Sequence, residues 1–418
     1  MKLEYLKLTN FRGFTSLELT FEPGLTVLLG TNMAGKTAVL EGAAKALSVL
    51  LGRQETRDIE DNEVRQRVIT VGGVPELQRQ FPVSIDVRIR GSLPEEDAEW
   101  QLARWDPDDG TRPDGELRTV LNRPPLAALP VIALYGAQRH WDRRTGIDDV
   151  RGIGARYDGY DGCFDIRSSH SQLAGWMRKQ TLVQLQRGAG HVQPQLAAVE
   201  AAVKSCIDGV TRFWFDVQYD ELRLERSGGD IQSFSMLSEG YRNMVAMIAD
   251  IAWRASVLNA QFGPKAHLCA DGIVLIDELD LHLHPAWQRR IVDDLRRTFP
   301  LIQFIVTTHS PQIVASVSRS QIRLLEENRL VGAEPHVEGR DTNAILEDVF
   351  GVPSRPEPVQ AEIDALFLLI ENEDFAAARA RLEQLQERLG PDDTDMIKAR
   401  WLLDTEEPGT NGHRPSPP

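Results

Sequence analysis

The run Gly30-Thr31-Asn32-Met33-Ala34-Gly35-Lys36-Thr37 has the spacing G-x-x-x-x-G-K-T. That spacing suits a phosphate. The glycines let backbone N–H groups turn toward phosphate oxygens, the lysine brings a mobile charge to the β- and γ-phosphates, and the threonine hydroxyl can ligate magnesium. A helix opening at the end of the loop adds the positive end of its dipole. The expected nucleotide-binding residues are therefore Gly30, Thr31, Asn32, Ala34, Gly35, Lys36, Thr37 and Ala38, with Thr37 also on the metal, and the nucleotide is ATP or GTP.

A second constellation closes the apolar run 272–276 with Asp277-Glu278. Adjacent side chains on a strand point to opposite sides, so one carboxylate can serve the metal while the other serves water. We expect Asp277 to hold magnesium and Glu278 to polarise the attacking water. Further along, the run 303–307 delivers Thr308-His309-Ser310 to its end. In parallel α/β sheets that edge is where ligands sit, which puts His309 in reach of a γ-phosphate. His282 and His284 alternate as a metal pair could, but no third ligand stands nearby, and a polar loop at a dimer seam is expected instead.

These groups need strands and helices to hold them. Residues 25–29 read as a buried strand after the Pro23-Gly24 turn, and residues 36–50 as a helix with Val39, Leu40, Ala43, Leu47 and Leu50 on one stripe. Leu17, Leu19 and Phe21 share a strand face, as do Leu3 and Tyr5, and Val83, Ile85, Val87 and Ile89 alternate, with Trp100 and Leu102 beyond a turn. Together they suggest an antiparallel lobe on the nucleotide core. Residues 52–80 look irregular and 106–125 like a long loop. Residues 130–135 read as a strand, 168–209 as helical, 217–224 as a strand and 239–258 as a helix. Past three prolines between 353 and 358 come charged, Ala-rich helices near 361–371, 375–389 and 394–403, then a Pro/Gly-rich tail expected to be disordered.

The 418 residues carry 47 basic and 62 acidic side chains, a net charge of −15, with 42% hydrophobic residues. That balance fits a globular chain and argues against coating nucleic acid by bulk charge. Three scattered cysteines suit neither a disulfide framework nor a zinc site. No apolar run approaches the roughly 18 residues of a membrane span, and the first residues lack a signal-peptide core, so a cytoplasmic protein without a membrane partner is expected.

Taken in order, GTNMAGKT, LSEGYR at 237–242, LIDELDLHLHP at 275–285 and TTHS at 307–310 resemble ABC-type ATPases, more narrowly the RecF/SMC/OLD branch that works on nucleic acid; the opening LTNFRGF at 8–14 is similar to that branch as well. The resemblance spans about residues 1–350 and implies ATP and Mg²⁺ as ligands and hydrolysis of ATP. It implies that Ser238 and Gly240 contact the γ-phosphate held by a second copy, in an ATP-sandwich homodimer or higher oligomer. Gln138 looks like the glutamine that senses metal and water, and Arg12 and Arg139 like phosphate or partner contacts. The implied fold is an α/β P-loop head, mixed sheet with flanking helices and an antiparallel lobe. It would run over 1–352 with a helical insertion at about 165–210, followed by a small helical subdomain at 353–405 and a tail at 406–418.

There are departures. Met33 stands where many relatives have glycine, the signature is LSEGYR rather than LSGGQ, and His284 takes the place of a transporter aspartate. Three more segments, LYGAQRHW at 134–141, SEGYRNMVAMIADIAWR at 238–254 and GRDTNAILEDVFGVPSRP at 339–356, are similar to Septu-type and retron-associated ATPase subunits of bacterial anti-phage systems. That likeness implies an HNH nuclease on a partner chain and DNA or tRNA as the nucleic acid. Two alternatives stand beside it: an ATP-gated scaffold with negligible turnover that holds a nuclease inactive, and the nucleotide-binding subunit of an ABC transporter.

Overall fold

Alternating and continuous apolar runs go to different sheets. The computed structural model describes residues 1–52, 56–71, 73–91, 97–115, 124, 127–137, 156–165, 170–188, 191–332 and 335–406. The continuous runs form the parallel sheet: β3 (Leu25–Gly30), β9 (Val131–Tyr135), β13 (Gly272–Ile276) and β14 (Ile302–Thr307) are buried at every position. With β15 (Ile322–Glu326) and β16 (Arg329–Leu330) they line up in the order β16-β15-β3-β14-β13-β9, parallel except for the β15–β16 hairpin. Strands covered on both faces have no need of alternation, which is why these read as unbroken apolar stretches.

The alternating runs form the lobe. β1 (Lys2–Thr9), β2 (Ser16–Thr20), β6 (Val83–Arg90), β7 (Ala98–Arg104) and β8 (Arg112–Gly115) make an antiparallel sheet in the order β2-β1-β6-β7-β8. Helix α1 (Lys36–Ser48) packs against both sheets. Trp100 of β7 donates its indole N–H to Ala46 O of α1 at 3.1 Å. The fully buried Gln303 joins the sheets directly: its amide donates to Leu3 O and Glu22 O, each at 2.8 Å, and accepts from Leu3 N–H at 2.7 Å.

Between these layers the chain builds α2 (His170–Gln186), α3 (Pro194–Cys206), the three-stranded sheet β10 (Val210–Asp216), β11 (Glu221–Arg226) and β12 (Ile231–Ser233), and the long helix α4 (Glu239–Leu258). Short helices α5 (Ala266–Cys269), α6 (Pro285–Gln288), α7 (Ile291–Thr298) and α8 (Pro311–Val314) connect the core strands. The chain divides into Met1–Ile345 and Leu346–Pro418, a boundary inside α9 (Thr342–Asp348) and ahead of the Pro-rich segment. In the second unit, α10 (Glu357–Glu371), α11 (Phe375–Leu389) and α12 (Thr394–Glu406) close on Ile363, Leu366, Ile370, Leu382, Leu385, Met396 and Leu403. Asp374 caps α11 by accepting Ala377 N–H, and Gly390 at φ +95° stops it. The tail beyond 406 lies outside the described residues.

Several local expectations shift. The stretch 52–80 contains a hairpin, β4 (Gln66–Val71) and β5 (Val74–Arg79), rather than irregular chain alone. The loop expected over 106–125 contains β8. Residues 217–220 are a turn rather than the start of a strand, because Asp216 Oδ1 accepts Gln218 N–H at 3.0 Å and Asp220 sits at φ +53°. The expected Leu3/Tyr5 face gives way to Leu3, Leu6 and Leu8, since a register shift between Leu3 and Tyr5 moves the alternation by one. The first helix ends at Ser48 in a short 3₁₀ turn.

Candidate nucleotide site

Parallel strands put their C-terminal ends on one edge, so Gly30, Thr307 and Asp277 meet although up to 277 positions separate them in the chain. The loop's glycines are there for lack of space. A Cβ on Gly30 would lie 2.2 Å from Leu325 O of β15, and one on Gly35, at φ +94°, would lie 2.4 Å from the Phe14 ring. The loop is thus wedged between β15 and the 10–14 turn. Met33 takes a left-handed φ of +68° with its side chain 94% exposed. A side chain at that position costs about 1–2 kcal/mol of backbone strain without filling the loop's mouth.

Lys36 is buried and donates from Nζ to Gly30 O at 2.8 Å and Thr31 O at 2.9 Å. Burial lowers its pKa, while Asp277, Glu278 and Asp280 oppose that shift. One ammonium therefore stands among three carboxylates. Thr37 Oγ1 donates to Asp277 Oδ2 at 2.9 Å, and Thr307 Oγ1 donates to Asp277 Oδ1 at 2.6 Å. A hydroxyl and a carboxylate so close are hard oxygen donors, the set magnesium takes when phosphate oxygens and water complete its shell. The residues fit that ion.

Glu278 follows the strand in the left-handed region, φ +50°, so the strand's alternation stops short of it, and Lys36 senses Glu278 and Asp277 together. The opposite-facing arrangement expected for the two carboxylates does not apply where the strand has already ended. Asp280 Oδ1 accepts Thr308 Oγ1 at 2.6 Å and His309 N–H at 3.2 Å. His309 is half-buried, and burial followed by the Lys36 charge lowers its pKa from 6.5, against the pull of Asp280, Glu278 and Asp277. The direction of the shift favours the uncharged imidazole, which has one N–H to give.

Ser238 and Gly240 stand elsewhere. Ser238 is the N-cap residue of α4, exposed, and makes no side-chain capping bond, so the ordinary cap expected of a serine there is not formed. A Cβ on Gly240 would lie 1.9 Å from His282 O. The tip of α4 is further held by the His282–Glu239 pair at 3.7 Å and by the Tyr241 and Trp287 rings at 4.7 Å. His284 Nδ1 accepts Ala286 N–H to cap α6. No hydrogen bond among the described residues joins Ser238 or Gly240 to the loop 30–37. Arg12, at φ +50°, is paired with Glu41 and, at 3.3 Å, with Glu63 rather than hydrogen-bonded to the loop. Gln138 and Arg139 lie outside the described residues.

Sequence reasoning passed over Thr307, Thr308, Asp280 and Tyr135. The available signal was two threonines ending an apolar run: a buried hydroxyl must find a partner. Tyr135 closes β9; its carbonyl accepts Asp277 N–H at 2.8 Å and its hydroxyl donates to Asp250 Oδ2 of α4 at 2.7 Å. Arg254 donates to the same Asp250 oxygen at 2.8 Å and to Gly159 O at 2.9 Å. Burial and Asp250 hold the Tyr135 phenol well above its ordinary pKa.

Comparison with known proteins agrees with the motifs. A family described as "AAA ATPase domain" matches residues 1–78, and one described as "AAA domain, putative AbiEii toxin, Type IV TA system" matches residues 178–315. The Retron Ec83 probable ATPase of Escherichia coli is 26% identical, over 97% of this chain and 87% of that protein. Septu protein PtuA of Bacillus thuringiensis is 24% identical, over 86% of this chain and 87% of that protein. Among solved structures, an SMC head bound to the C-terminal winged-helix domain of ScpA covers 79% of this chain and 97% of its own, at 15% identity and a TM-score of 0.49. The likeness to the Retron Ec83 probable ATPase runs along nearly the whole chain, and that to Septu protein PtuA along most of it. No helix among the described residues is long and apolar enough to cross a membrane.

Proposed function

We propose that this chain binds and hydrolyses Mg·ATP at the loop 30–37, and that the nucleotide draws two copies together, Ser238 and Gly240 of one facing the γ-phosphate on the other. The observation that carries the reading is the Thr37–Asp277 hydrogen bond, 2.9 Å long across 240 residues of sequence, which joins the phosphate loop to the acidic strand end. In-line attack on a γ-phosphate requires positioning and charge stabilisation more than covalent help. Lys36 supplies the mobile cation once its bonds to Gly30 O and Thr31 O are exchanged for phosphate oxygens. Glu278 orients the water, and His309 donates an N–H to a γ-phosphate oxygen. Magnesium, held by Thr37 and Asp277, would offset charge on the phosphate oxygens. The retron and Septu likeness supports a place in anti-phage defence, with the nucleotide state governing a nuclease on another chain or its nucleic acid.

The test is phosphate release and solution mass with Mg·ATP, for the wild type and Glu278→Gln. Removing a general base costs about 10²–10⁴-fold in rate. The variant should lose turnover, keep bound ATP and double in mass. Wild-type turnover in Glu278→Gln removes Glu278 from the chemistry, and a mass indifferent to ATP removes the second copy. Tight binding with almost no phosphate released by the wild type favours the scaffold reading.

A further inference from the structure

One residue makes three bonds to three consecutive positions at the acidic strand end. The Thr307 hydroxyl donates to Asp277 Oδ1 at 2.6 Å and accepts Glu278 N–H at 2.7 Å, and the Thr307 carbonyl accepts Leu279 N–H at 2.9 Å. The side chain is fully buried, and the hydroxyl's only proton goes to the carboxylate. Strand β13 has ended by then, so the ladder with β14 no longer fixes Glu278. Glu278 sits at φ +50°, a conformation an L-residue adopts when its surroundings hold it there. Among its surroundings are the Thr307 hydroxyl on its own N–H and the Thr307 carbonyl on Leu279 N–H, with the Leu281 N–H bond to Glu278 O closing the turn beyond.

Asp277 is treated in the same way from two directions. Its Oδ2 receives Thr37 and its Oδ1 receives Thr307, so the plane of the carboxylate is set by two hydroxyls on different elements. Thr37 is expected to turn to metal; Thr307 has no such alternative. Resting on the ATPase reading above, we propose that Thr307 is the positioning residue of the reaction, holding Asp277 in ligand orientation and Glu278 in its left-handed turn. Its own hydroxyl is committed to Asp277 and Glu278 N–H, so it acts through them. Methyl-for-hydroxyl exchange should therefore damage metal affinity and rate while sparing the phosphate loop.

The experiment compares Thr307→Val, the same shape without the hydroxyl, with Thr307→Ser, which keeps the hydroxyl, in the full chain. Three quantities are read: ATP affinity without divalent metal, ATP-dependent Mn²⁺ binding from the loss of the free-ion electron paramagnetic resonance signal, and kcat with its Mg²⁺ dependence. Loss of a partner that orients a metal ligand costs about 10–100-fold in metal affinity or activity. Thr307→Val should show that loss in Mn²⁺ binding and kcat, with metal-free ATP affinity unchanged, and Thr307→Ser should restore both. If Thr307→Val fails to fold by circular dichroism, Thr307→Ala relieves the packing and is read in the same way. Wild-type Mn²⁺ binding and kcat in the hydroxyl-free variant overturns the proposal, as does a Thr307→Ser variant as impaired as the valine. Absent turnover in the wild type removes the ATPase reading instead, and Mn²⁺ binding still decides what Thr307 does to Asp277.

Discussion

The sheet edge and the tip of α4 are built on opposite plans. At the edge, side-chain hydroxyls reach carboxylates across strands: Thr37 and Thr307 to Asp277, Thr308 to Asp280. At the tip, a glycine lets backbone meet backbone, Gly240 against His282 O, while the Ser238 hydroxyl stays exposed. The first region is interlocked within one chain. The second is a closely packed helix tip whose serine is exposed. A defect at the edge should therefore appear as lost chemistry, and a defect at the tip as lost assembly.

Lys36→Ala should break the edge most severely. A charge-assisted contact to phosphate is about twice as strong as a neutral hydrogen bond, and Lys36 is the ammonium set among Asp277, Glu278 and Asp280. ATP affinity, measured by calorimetry, should fall by about 100-fold or more, with turnover lost. Undiminished affinity would mean the nucleotide binds elsewhere.

Gly240→Ala sharpens the contrast from the other side. The new methyl would meet a carbonyl oxygen at 1.9 Å, and the loop carrying His282 has to move away from α4. Overpacking of this kind costs about 1–3 kcal/mol. In a Glu278→Gln background, sedimentation should show ATP-driven association weakened by about tenfold or more. ATP affinity of the separate chain should be unchanged. If Gly240→Ala weakened nucleotide binding itself, the tip and the edge would be one region after all.

Legibility follows the same division. The edge could be read because its elements are local: a continuous apolar strand, a loop with glycines at fixed offsets, a helix. Its ties could not, since Thr37 finds Asp277, and Tyr135 finds Asp250, only after distant strands and α4 are in place. The hairpin β4–β5 escaped because Val68, Val74 and Leu77 are exposed, so no buried face imposes a period on it. The β10–β11 pair was misplaced although Phe213, Phe215, Leu222 and Leu224 alternate around the turn. There the signal was present, and the polar turn at Asp216 was the part to weigh.

Tyr135→Phe is the finest probe of the comparison, because Tyr135 ties the edge to the body of α4, the helix whose tip is the second region. Its carbonyl holds Asp277 N–H at the edge, and its hydroxyl holds Asp250 along α4. Phenylalanine keeps the ring and the carbonyl and removes only the hydroxyl. Asp250 keeps Arg254, so no buried charge is left alone and the loss is about 1–2 kcal/mol rather than that of a broken ion pair. A fall in Tm of about 2–4 °C per kcal/mol should follow, read by scanning calorimetry. If the edge is self-sufficient, kcat at a temperature well below the transition stays at the wild-type value. A fall in kcat beyond what the lost stability explains would show that α4 orients Asp277 through this tyrosine, and that the two regions are coupled within a single chain before any partner arrives.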